Sequence, residues 1–163
     1  MAAVIATAAL TACGHGSGDS VGRTADLGPA PSIELAAVRD GDPPVSLAAL
    51  HGRPVIVNFW SSSCVPCRTE TPALEAAHRK AGERVAFLGV DEEDGRADAQ
   101  AATRVWGATY PSGYDPAGVL SDSYRLVGLP TTVLVDAGGH VRLRHTGQLS
   151  KTQIAELVKV AQG

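Results

Sequence analysis

The segment from Val55 to Trp60, VIVNFW, is apolar at every position except Asn58. A short, nearly continuous apolar run of this kind predicts a strand buried on both faces of a parallel or mixed sheet. After Ser61–Ser63 the pattern changes: Leu74, Ala77 and Ala81 recur at helical spacing, and Arg68, Glu75, Arg79 and Lys80 are the expected solvent-facing positions. This predicts a helix from about Cys64 to Ala81, kinked at Pro72, where the ring and the missing N–H disturb the preceding turn. VAFLGV (85–90) predicts a second buried strand and 96–106 a second helix, with Glu92, Glu93 and Asp94 either favouring its start or forming a solvated loop. TTVLVD, then AGG, then HVRLRHTG predicts a hairpin. Ser150 with Gln153 three residues on is a capping box opening a last helix, whose apolar face is Ile154, Leu157 and Val158. IELAAV (33–38) and VSLAAL (45–50) predict small strands or turns ahead of the main fold. The order of elements gives an α/β protein with a central mixed β-sheet flanked by helices.

Composition narrows the class. The chain has 163 residues, 44% hydrophobic and 19% charged, with net charge -3. That suits one globular domain with a proper core. No run of lysines or arginines offers the concentrated basic surface that nucleic acid requires, so no such partner is expected. Residues 14–32 are rich in Gly, Ser, Asp and Pro and predict a flexible tether before a domain at 33–163.

Three cysteines are present. Cys64 and Cys67 form Cys-x-x-Cys directly after the buried strand, at a helix opening. There the unsatisfied N–H groups and the positive end of the dipole favour a thiolate at Cys64. Cys67, one turn along, could resolve a mixed disulfide formed by Cys64, and Pro66 stiffens the bridge at little cost in the first turn. Two other readings stand beside this one. A structural zinc site needs four ligands, yet the remaining cysteine is near the N-terminus and His15, His51, His78, His140 and His145 form no paired cluster. A purely structural disulfide closing two intervening residues would constrain little of the unfolded chain.

The motifs together, VIVNFWSSSCVPCRTETP with GLPTTVLVD and a DxxGxV turn downstream, resemble the exported thiol–disulfide oxidoreductases of the TlpA/ResA type, with a thioredoxin-like fold, over roughly residues 33–162. The resemblance implies catalytic Cys64 and Cys67, and a cis Pro130 facing them that leaves the Leu129 backbone to pair with an extended substrate. It also implies a buried Glu70 that tunes the thiols, Trp60 packed beneath the loop, and an extra helical insert at about 91–113. Two departures stand out: Asn58 replaces the buried Asp of cytoplasmic thioredoxins, and Ser63 replaces the family's usual tryptophan before the first cysteine. LTAC followed by Gly14 is similar to the lipobox of bacterial lipoproteins, which makes residues 1–13 a signal peptide and Cys13 the lipidation site, although no Lys or Arg lies between Met1 and Cys13.

The expected function is therefore an extracytoplasmic protein disulfide reductase, lipid-anchored to the outer face of the cell membrane, or secreted or periplasmic without the lipid. It is expected to be monomeric and free of cofactors and metal, serving cytochrome c maturation or copper-site assembly clients and recharged by a CcdA-like membrane thiol carrier. A disulfide-donating oxidase and a non-enzymatic redox-sensitive binding module are the alternatives.

Overall fold

The computed structural model describes residues 21, 22 and 24–163; Cys13 and the expected signal peptide lie outside them. The elements are β1 (Glu34–Leu35), β2 (Val45–Ser46), β3 (Val55–Trp60), α1 (Val65–Ala81), β4 (Ala86–Glu92), α2 (Arg96–Trp106), β5 (Ser112–Asp115), α3 (Val119–Ser123), β6 (Thr131–Val135), β7 (Val141–Thr146) and α4 (Lys151–Gln162). The main sheet has the order β5-β4-β3-β6-β7, parallel across β3–β4 and β4–β5 and antiparallel across β3–β6 and β6–β7. β1 and β2 form a separate antiparallel pair.

β3 is central and buried throughout, as its unbroken apolar run requires. Successive side chains alternate between faces. Ile56 joins Phe87, Leu134 and Leu143 beneath α1 and α4, against Leu74, Ile154 and Leu157. Val55, Val57 and Phe59 join Val90 and Val133 on the opposite face, against Ile33, Leu120 and Tyr124. The remaining upward-facing positions of β3, Asn58 and Trp60, are thereby aimed into the α1–α2 layer, where the chemistry sits.

Several expectations are corrected. Glu75 faces inward rather than to solvent: its carboxylate accepts from the Thr109 N–H (2.7 Å), the Thr109 hydroxyl (2.6 Å) and Arg79 (2.6 Å), which ties α1 to the chain entering β5. The helix expected around Pro72 is present, with Pro72 inside it. The acidic run does not cap α2, whose N-cap is Gly95 with no side-chain bond; Glu92 is instead buried in β4. The insert contains the expected helix and then delivers β5, an edge strand with few apolar residues. Gly113 in it allows a close approach, since a Cβ there would stand 2.7 Å from Leu35 Cδ1. The latter part of the expected tether is docked: Ala25 and Leu27 donate to Arg142 and Val141 carbonyls, both at 2.9 Å, and Val141 donates to Gly28. A polar, proline-containing stretch carries no sign of this, because the partners are backbone groups on the open edge of β7.

Candidate active site

The buried strand β3 ends at Trp60, and the chain turns through Ser61–Ser63 into α1. Cys64 is the N-cap, with extended backbone, and its sulfur accepts the Cys67 N–H at 3.2 Å. Pro66 lies in the first turn, where no intrahelical N–H is needed. Cys64 and Cys67 are joined as a disulfide with Cα atoms 5.3 Å apart. Cys64 is half-buried and Cys67 fully buried, so one sulfur is open to a partner and the other is shielded.

Around the pair, Trp60, Val38, Ala99 and Ala102 pack with Cys67, and Cys64, Trp106 and Leu129 border the same cluster. Trp60 is 3% exposed and meets the Trp106 ring edge-on at 5.4 Å, so it lies beneath the loop. Leu129–Pro130 is a cis peptide bond. It immediately precedes β6, and Pro130 accepts a hydrogen bond from the Gly147 N–H at 2.8 Å. The sequence-expected residues from β3, α1 and the chain before β6 thus converge on one end of the sheet.

Glu70, one turn beyond Cys67, is 1% exposed. Its Oε1 accepts from the Asn58 amide at 2.9 Å and its Oε2 from the Leu149 N–H at 2.8 Å. Asn58 also donates to the Thr132 hydroxyl at 3.1 Å. Burial pushes the Glu70 carboxyl up to about 7, while the Leu149 N–H and the Asn58 amide favour the ionised form and pull it back. A carboxyl poised near neutrality beside a cysteine pair can hold or release a proton there. Asn58, which cannot ionise, serves as its hydrogen-bond donor.

Residues 28–144 match the AhpC/TSA family. The chain belongs to that family. Among its relatives, a thiol:disulfide interchange protein DsbE of Xylella fastidiosa (strain Temecula1) is 33% identical over 127 residues, covering 77% of this chain and 64% of that protein. The thiol-disulfide oxidoreductase ResA of Halalkalibacterium halodurans is 27% identical over 117 residues, covering 71% and 66%. The chain therefore spans just under two thirds of the length of these curated relatives. A crystal structure of a thiol:disulfide interchange protein of the thioredoxin family from Chlorobium tepidum superposes with a TM-score of 0.74 at 29% identity, over 83% of this chain and 96% of that one. The fold is thioredoxin-like, and this AhpC/TSA family member carries its cysteine pair where β3 meets α1.

Two acidic residues of the site escaped the sequence reading. Asp94 accepts from the Ser62 N–H and, at 2.8 Å, from the Ser62 hydroxyl, which anchors the loop just ahead of Cys64. Asp91 ends β4, paired in register with Trp60. Its position was visible in the alternation of AFLGVDE, which sets Asp91 on the same side as Phe87, toward α1. The solvated reading covers Glu92, Glu93 and Asp94, and Asp91 lies just outside it. Among the described residues no group of His, Cys, Asp and Glu is arranged to hold a metal ion, and no helix is long and apolar enough to cross a membrane.

Proposed function

We propose that this protein is an extracytoplasmic thiol–disulfide oxidoreductase that acts as a reductant of protein disulfides. The reading is carried by the asymmetry of the pair: a half-exposed Cys64 at a helix N-cap, linked to a buried Cys67 with the raised carboxyl of Glu70 one turn away. In the dithiol form, the Cys64 thiolate attacks a client disulfide and forms a mixed disulfide, expelling one client thiolate. Cys67 then gives its proton to the Glu70 carboxylate or to water and attacks Cys64. The Cys64–Cys67 bond forms and the second client thiolate leaves, so two electrons have passed to the client, whose thiolates take up the proton held by Glu70 and protons from solvent. The extended client lies along the Leu129 backbone, placed beside the sulfurs by Pro130.

The clients are protein disulfides of cytochrome c maturation or copper-site assembly, and electrons return through a CcdA-like membrane thiol carrier. The relatives named DsbE and ResA support the reaction class. The protein works as a monomer held to the membrane through lipidated Cys13. The test is the reduction potential of the Cys64–Cys67 couple in dithiothreitol or glutathione buffers. A value of about -270 mV or lower is expected for a reductant, whereas about -120 mV would make it a disulfide donor. Absence of a reversible couple would return the bridge to a structural role.

A further inference from the structure

Asp91 is fully buried, and among the described residues no backbone N–H, hydroxyl or amide donates to either of its oxygens. Of the charged groups around it, the one that bears on it most strongly is another carboxyl, that of Asp94, three residues along the chain. Two ionised carboxylates are both acceptors and cannot bond to each other; the contact is favourable only when one carries the proton. Asp94 in turn grips Ser62 through both the backbone N–H and the hydroxyl. Glu93, between them, holds φ 54°, in the left-handed region, where the chain leaves β4. The chain Asp91–Asp94–Ser62 therefore runs from the rigid sheet to the loop that carries Cys64.

We propose that Asp91 and Asp94 are positioning residues that share one proton and, through Ser62, hold the Ser61–Ser63 loop in the arrangement that presents Cys64. The charged surroundings agree. Glu92 and Asp115 add negative charge from β4 and β5, and exposed Glu93 lies between Glu92 and Asp94. Tyr114, the β5 neighbour of Asp91 in register, donates its hydroxyl to the Asp94 carbonyl at 3.0 Å. The nearby cation, Arg96, stacks over the Tyr114 ring and turns Nη1 to the Ala37 and Val38 carbonyls and, at 3.7 Å, to Asp40. Burial, then the Asp94 carboxyl, push Asp91 up to about 8, so Asp91 holds its proton at neutral pH and loses it in mild alkali. Once both are ionised they repel, and Asp94, on the turn, is the member free to swing away from Ser62.

The inference rests on the redox reading only for its consequence at Cys64, so two readouts are taken. In the oxidised protein neither cysteine titrates, and the two tryptophans, Trp60 and Trp106, lie at the site. Intrinsic fluorescence of the wild type is expected to show a step near pH 8 that is lost in Asp91→Asn and kept in Glu70→Gln. In the reduced protein, iodoacetamide alkylation of Cys64 against pH is expected to depart from a single thiolate curve above that step by roughly tenfold, the equivalent of one hydrogen bond to a charged acceptor. Both Asp91→Asn and Ser62→Ala should restore the single curve. A fluorescence step that survives in Asp91→Asn overturns the shared proton. A step lost while the alkylation profile stays the same in all variants overturns the coupling to Cys64. Should Asp91→Asn fold poorly by circular dichroism, Asp94→Asn replaces it with the same expectations.

Discussion

Replacing Glu70 by Gln tests whether this carboxyl is held near neutrality by the fold. In the native protein its value lies near 7, against 4.5 for an ordinary glutamate. The native state therefore binds more protons than the unfolded chain between those limits. The associated stability is fully present below about pH 4.5 and is lost as pH rises through 7. At about 1.4 kcal/mol per pH unit, the loss is on the order of 3 kcal/mol by pH 8. Gln keeps the shape, removes the titration, and can keep its partners if the Asn58 amide turns to accept from it while the Thr132 hydroxyl donates to Asn58. Urea unfolding of the oxidised wild type and Glu70→Gln at intervals from pH 4 to 8 measures this directly. The stability of the wild type relative to the variant should fall progressively by that amount. Parallel curves over the whole range would refute the reasoning and show Glu70 to be an ordinary carboxylate.

Cys67→Ser should accumulate a mixed disulfide between Cys64 and a disulfide substrate such as insulin on non-reducing gels, while Cys64→Ser should form none and lose reductase turnover. Glu75→Ala should cost about 2 kcal/mol in urea unfolding, since it strips the acceptor from the Thr109 N–H and hydroxyl, and should leave the reduction potential unchanged. Burial alone would raise the Glu75 carboxyl, but Thr109 and Arg79 more than offset it and hold it low, so this contribution is present above the usual glutamate range and disappears in acid. Gly89→Ala would set a Cβ 2.3 Å from Ser112 Oγ and 2.9 Å from Trp60 Nε1, forcing β5 or Trp60 to shift. A loss of about 1–3 kcal/mol with altered tryptophan fluorescence is expected.

Features that depend on neighbours along the chain were legible in the sequence. The Ser150–Gln153 capping box forms as read, with both reciprocal bonds present. The unbroken apolar run of β3 is central and buried, and Cys64 stands at the start of α1, because a strand's faces are set by residues one or two positions apart and a helix end by residues three or four apart. The motif resemblance likewise anticipated the burial of Glu70 and the cis bond at Pro130. What the tertiary structure alone decided is where polar groups found partners distant in sequence. Glu70 is satisfied by Leu149, 79 residues away, and Glu75 by Thr109, 34 residues away, which turned an expected surface residue inward. β5 is a strand because β4 and Leu35 receive it, and residues 25–30 are ordered because β7 offers an open edge. Asp94 joins the loop ahead of Cys64 because Ser62 lies within its reach. A carboxylate's charge depends on the groups that fold over it, and no local pattern records which those will be.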